Sequence, residues 1–181
     1  MSFPFLVSAF MTLFNFITAS DVRTENYSVL YTHENFEIRK YNSLVLAEYN
    51  DANNQEFSVL ADFIFGGNKE NQQIPMTAPV ITTMDSNPIM SFVMPNGITN
   101  DNCPEPNNSK IVISKSRPRL TASITFSGYP SSDVCDSMKE QLIELLESFH
   151  IEHKNNFELH VFDPPYKAVN RRNEIVVSIN Q

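Results

Sequence analysis

From Tyr27 onward the chain runs in short stretches in which apolar and polar residues alternate, the period of a half-buried strand. Residues 27–31, 36–41 and 44–49, rich in Tyr, Phe, Val, Ile and Leu, read as three strands. Asn42-Ser43 is short enough to join the last two as a hairpin. The period then changes. Residues 51–54 have helix-start composition, and Phe57, Leu60, Ala61 and Ile64 follow at helical spacing until Gly66-Gly67-Asn68 stops the run. Residues 75–83 and 89–94 are extended again, and 95–106, crowded with Asn, Asp, Gly and Pro, is a loop.

The same order then recurs. Residues 110–116 and 120–128 read as strands, and Asp133 caps a long helix with Val134, Met138, Leu142, Leu145, Leu146 and Phe149 on one stripe. Residues 157–162 and 175–179 close the chain as strands. Strands, one helix and more strands, written twice, predict an α+β domain with pseudo-twofold internal symmetry. Its two helices should lie against a curved, mostly antiparallel sheet, their stripes serving as core.

The first twenty residues break this pattern. Between Ser2 and Ser20 there is no charge, and Phe3, Phe5, Leu6, Val7, Phe10, Leu13, Phe14, Phe16 and Ile17 make the run strongly apolar. It is short and polar-flecked for a membrane span and ends in Thr18-Ala19-Ser20, small residues of the kind a signal peptidase accepts. Residues 1–20 are therefore expected to be a signal peptide and 21–181 the mature, secreted domain, although no Lys or Arg precedes the apolar region. Asn26-Tyr27-Ser28 and Asn107-Asn108-Ser109 are glycosylation acceptors on that route. Cys103 and Cys135, the only cysteines, form either one disulfide or two unpaired thiols.

Composition narrows the function. A chain of 181 residues with 41% hydrophobic and 19% charged positions suits one well-packed domain. A net charge of −8 repels phosphate backbones and argues against nucleic-acid binding. No spacing of His and Cys supports a zinc site.

Three segments stand out together: Phe36-Glu37-Ile38-Arg39-Lys40-Tyr41; Gly66-Gly67-Asn68 followed by Ile74-Pro75-Met76-Thr77-Ala78-Pro79-Val80; and Asp163-Pro164-Pro165, Lys167 and Arg171-Arg172-Asn173-Glu174-Ile175. In order and spacing they resemble the signatures of the SOUL haem-binding protein family, over nearly the whole chain beyond the leader. The resemblance implies a twisted, barrel-like sheet flanked by two helices. It also implies reversible, non-enzymatic binding of haem or a related tetrapyrrole, in a fold shared with bacterial effector-binding domains.

The same resemblance directs attention to particular residues. It places the ligand against the first helix, which here offers Phe57, Leu60, Phe63 and Ile64. Phe63 and Phe65 lie off the Phe57–Ile64 stripe, a surplus of apolar surface that would meet either a ligand or a covering loop. Some relatives carry an iron-binding His where this chain has Lys40, a poor ligand while protonated, so no strong axial ligand is expected. His33 reads as a solvated loop residue, His150 and His153 as cations at a helix C-terminus, and Met76 as core or pocket wall. Lys167 matches a basic position implied to meet the ligand's carboxylates. With Arg171 and Arg172 it forms the one dense basic cluster of the chain, able either to pair with propionates or to build its own loop around Glu174.

Two competing readings are weaker. A small-molecule hydrolase needs a cleft carboxylate pair or an activated nucleophile, whereas Glu37, Glu48 and Glu174 are scattered on strands where outward-facing charge is the default. A protein-interaction module would use the second helix as a docking surface, but that stripe reads as core.

Overall fold

Nine strands join in one antiparallel sheet, in the order β1-β2-β7-β9-β8-β4-β5-β3-β6. The computed structural model describes residues 26–51, 55–164, 166, 167 and 169–180. The expected signal peptide, residues 1–20, lies outside the described residues. The strands are β1 (Tyr27–His33), β2 (Phe36–Tyr41), β3 (Val45–Tyr49), β4 (Val80–Thr83), β5 (Met90–Val93), β6 (Ile111–Lys115), β7 (Arg119–Phe126), β8 (His153–Val161) and β9 (Asn173–Ile179). Among the described residues the helices are α1 (Glu56–Ile64) and α2 (Ser132–Ser148).

The internal repeat is real, and the strand order shows how it is built. One half contributes β4-β5-β3 and the other β8-β9-β7, and the halves meet where β4 pairs antiparallel with β8. The strand preceding each half is exchanged: β2 leads into β3 but pairs with β7, and β6 leads into β7 but pairs with β3. The expected hairpin between residues 36–41 and 44–49 is therefore absent. Residues 42–44 are instead a crossing from one half to the other. Leu44 N–H donates to Ser116 Oγ (2.8 Å) and Ser116 N–H donates to Leu44 O (2.8 Å), tying this crossing to the one between β6 and β7. A two-residue polar spacer fits both outcomes, and long-range pairing decides between them. The hairpin lies one strand earlier, where β1 pairs with β2.

Both helices lie on the same face of the sheet. α1 buries Leu60, Phe63 and Ile64 against Ala47, Tyr49 and Phe92, and α2 buries Cys135, Leu142 and Leu146 against Ala122, Ile124, Phe157, Ile175 and Val177. The surplus at Phe63 is thus core, since that side chain is fully buried, and Phe65 is the exposed member. On α2 the stripe is narrower than its sequence pattern: Val134 and Phe149 are partly exposed. Its first helical residue is Ser132 after the cap position Ser131, so Asp133 sits in the first turn, where its charge suits the helix dipole, rather than at the cap.

The cysteines are free, Cys103 packing against the α1 core and Cys135 inside the α2 core. Their placement in separate cores rules out the one-disulfide alternative.

The opposite face carries charge that the alternation in sequence assigned to solvent. Glu174 is fully buried and Arg39 is 1% exposed. Arg39 donates to both carboxylate oxygens of Glu174 (2.6 and 3.1 Å) and to Glu37 (2.7 Å), and Arg172 adds a further contact to Glu174 at 2.7 Å. Glu174 is therefore no outward-facing charge. Burial alone would raise its carboxyl, but the hydrogen bonds and positive charge of Arg39 and Arg172 hold it below the usual range. The early-strand and closing motifs, 135 residues apart, meet in this pair.

Candidate functional site

The segment between α1 and β4 is shaped by a buried asparagine. Asn68 donates its amide to Phe63 O (3.0 Å) and Gln72 O (2.7 Å) and accepts from Gln72 N–H (2.9 Å), which closes the loop after the helix. Gly67 passes so close to Asp62 that a Cβ there would lie 2.7 Å from the Asp62 carbonyl oxygen. The chain then lays Met76, Thr77 and Ala78 beside the sheet, where Thr77 Oγ1 donates to Val93 O.

Those three residues form one wall of a cleft of about 310 Å³. Its floor is the joint between the halves: Val80 and Thr82 of β4, Leu159 and Val161 of β8, and Met90 of β5. α1 packs over β3 and β5, and α2 over β7, β8 and β9, so the cleft opens over the β4–β8 joint between them. Phe57 of α1 stands on one rim. Phe162, Asp163, Pro164 and Arg171, from the loop between β8 and β9, form the other. Among the described residues the lining is mainly apolar with one cation, Arg171.

The closing loop sorts the three basic residues. Arg171 is buried, its guanidinium donates to Pro164 O (2.9 Å) and Asp163 O (3.3 Å), and its plane lies over the Tyr129 ring (4.8 Å). Among the described residues its Nε–H has no hydrogen-bond partner, a buried donor beside an apolar cleft. Lys167 is held by Asp163 at 2.7 Å, and the other oxygen of Asp163 accepts the Arg172 backbone N–H at 2.7 Å. The Arg172 side chain turns to the opposite face, donating to Glu174 (2.9 Å) and the Tyr27 hydroxyl (3.0 Å) while it covers the Phe162 ring at 4.2 Å.

Of the residues singled out from sequence, Phe57, Met76 and Arg171 line the cleft. Leu60, Phe63 and Ile64 lie beneath it in the α1 core, while Lys167 and Arg172 build the loop. Lys40 is exposed on β2, and His33 stands edge-on to Phe149 (6.0 Å) at the end of β1. His153 packs on Phe157 at the start of β8, far along the strand from the cleft. Sequence reasoning passed over Val80, Thr82, Met90, Leu159, Val161 and Phe162. Their alternation marked them as facing one side, but nothing local shows that β4 and β8 are neighbours.

It also passed over His160, which is fully buried on the face away from the cleft, 2.9 Å from Glu158. Burial alone would raise the Glu158 carboxyl. Hydrogen bonds from His160 and from Arg119 (2.6 and 2.7 Å) overcome it and lower the carboxyl to about 2. This second ion cluster fastens β7 to β8 and leaves the cleft face apolar.

The fold itself is that of effector-binding-like domains. The chain superimposes on the EcmrR C-terminal domain with a TM-score of 0.60 at 10% identity, covering 86% of this chain and 98% of that one. A hydrolase from Listeria innocua matches with a TM-score of 0.58 at 7% identity, over 83% and 94%. EcmrR in a DNA complex matches with 0.62 at 9% identity, over 97% and 64%. At such identities the likeness is one of fold alone. No curated protein matches the chain significantly. A family model settles the membership: residues 22–178 match the SOUL heme-binding protein family, to which this chain belongs.

The apolar walls are of a kind that suits a macrocycle, and the Arg171 Nε–H, unpartnered among the described residues, is of a kind that suits a carboxylate.

Proposed function

We propose that the chain binds haem or a related tetrapyrrole in the cleft over the β4–β8 joint, reversibly and without catalysis. The observation that carries this reading is an apolar cleft in which, among the described residues, the one cation, Arg171, is buried with an Nε–H that has no partner. Phe57, Met76, Leu159, Val161 and Phe162 would enclose the macrocycle and Arg171 would meet a propionate. At about 310 Å³ the cleft is near the lower end for ligand sites, so it would grip part of the disc and leave an edge in solvent. Affinity then comes from burial, with no strong axial ligand needed.

The cleft's chemistry supports binding over hydrolysis. Its one carboxylate, Asp163, is engaged by Lys167 and a backbone amide, and its Thr77 hydroxyl is committed to a carbonyl. The net charge of −8 supports a small-molecule partner over nucleic acid. Carriage, scavenging or buffering would take place outside the cell, a setting supported by the apolar leader and by the exposed sequon at Asn107. Protein recovered from culture medium should begin at or beside Asp21.

The binding test is a titration with haemin, protoporphyrin and biliverdin, followed by Soret absorbance and tyrosine quenching. Saturable one-to-one binding is expected. Val161→Glu should abolish it by placing a charge in the floor, while Arg171→Met should weaken carboxylate-bearing porphyrins more than their esters. Binding unaffected by Val161→Glu would place the ligand elsewhere.

A further inference from the structure

We infer that Met90 supplies a thioether donor to the iron of a haem seated in this cleft, and so makes the site selective for the ferrous state. The inference rests on the cleft reading above and adds the iron ligand and its redox preference. Among the described residues lining the cleft, the side chains able to reach iron are two sulfurs, Met76 and Met90, and one carboxylate, Asp163. Asp163 is occupied on both oxygens by Lys167 and the Arg172 amide. The imidazole on the adjoining strand, His160, points through the sheet to the opposite face, where it pairs with Glu158.

Packing separates the two methionines. Met76 is 7% exposed and belongs to the core under α1, so drawing its sulfur outward would open that core. Met90 is partly exposed and is the first residue of β5, packed only at the margin of the same core. Its unbranched side chain, with several rotatable bonds, can redirect its sulfur without moving backbone.

Position agrees with packing. Met90 pairs with Thr82, which pairs with Leu159, forming one row across the floor. Val80 and Val161 form the next row, and Asp163, Pro164 and Arg171 lie beyond it. Arg171 and Met90 therefore stand at opposite ends of the cleft, separated along β8 by a few residues at roughly 3.3 Å each. A disc with a carboxylate at Arg171 would extend over the floor toward Met90.

Two physical effects then favour reduced iron. A thioether is a soft, neutral donor, better matched to ferrous than to ferric iron. The surrounding wall of Val, Leu, Phe and Met side chains disfavours the extra positive charge of the ferric form.

The test uses the full chain and its Met90→Leu and Met76→Leu variants, titrated with metal-free protoporphyrin, haemin, and haem reduced with dithionite. Leucine keeps the apolar volume and removes the donor. The wild type should bind ferrous haem about tenfold more tightly than protoporphyrin, a gap of the size one weak metal–ligand bond supplies. Its bound ferrous spectrum should be that of a five-coordinate, high-spin haem carrying one thioether, shifted from that of free ferrous haem. Met90→Leu should bring its affinity for ferrous haem down to its own affinity for protoporphyrin and lose the spectrum, and Met76→Leu should keep the tenfold ratio and the spectrum. An unaltered ferrous spectrum in Met90→Leu, or its loss in Met76→Leu instead, overturns the assignment. Absence of protoporphyrin binding in the wild type would defeat the cleft reading itself and this inference with it.

Discussion

Removing the carboxylate of Glu174 should be the most damaging single change on the charged face of the sheet. Glu174 is fully buried and is shared by Arg39, through two hydrogen bonds of 2.6 and 3.1 Å, and by Arg172 at 2.7 Å. Glu174→Leu therefore strands two guanidiniums at once, with Glu37 left as the remaining carboxylate beside Arg39. Arg39→Met leaves Glu174 with Arg172 still in place. Breaking a buried pair by deleting one partner costs about 3–5 kcal/mol, a large part of a total stability of roughly 5–15 kcal/mol. For a domain of this length each kcal/mol moves the melting temperature by about 2–4 °C, so Glu174→Leu should lower Tm by at least ~6 °C.

Arg39→Met should cost less, and the Arg39→Met/Glu174→Leu double variant should cost clearly less than the sum of the two. The assay is far-UV circular dichroism on heating and in urea, applied to all four proteins. Additive effects, or a loss below about 1 kcal/mol for Glu174→Leu, would refute the idea that the two family motifs act together as one buried ion cluster.

Other expectations follow from the same structure. The Glu158 carboxyl is lowered from 4.5 to about 2 on folding, so its contribution is complete above pH 4.5 and is lost as pH falls toward 2. Urea unfolding should thus show stability falling below pH 4.5, by roughly 3 kcal/mol from this group, with Glu174 adding in the same direction. Glu158→Gln should flatten that slope. Gly67→Ala would place a Cβ 2.7 Å from the Asp62 carbonyl oxygen, which cannot rotate away, and should cost about 1–3 kcal/mol in a thermal melt. Pairing with Asp62→Ala should not rescue it, because the carbonyl remains. Cys103 and Cys135 occupy separate cores, so mass spectrometry after alkylation in denaturant without reductant should find both labelled, and an intact disulfide would contradict the fold.

Local pattern was enough for much of this protein. The alternation in residues 36–41 and 120–128 and the helical spacing of Leu60 with Ile64 and of Leu142 with Leu146 reflect burial of one face, which is written within each element. Repetition of that order exposed the two halves, and the three motifs carried the family. Alternation tells which residues share a face, but it does not tell which strand lies alongside. The exchange of β2 and β6 between halves turned an expected hairpin into a crossing. The charge at Glu174 looked solvent-facing because outward-facing charge is the default for a strand taken alone, and Arg39 and Glu158 gave no local sign of burial. Only assembly of the sheet supplies their partners and buries them together.

The cleft is the sharpest case. Phe57, Met76, Met90, Leu159 and Arg171 come from five segments and converge where β4 meets β8. That juxtaposition is set by the packing of two half-sheets with their helices, a property of the whole chain.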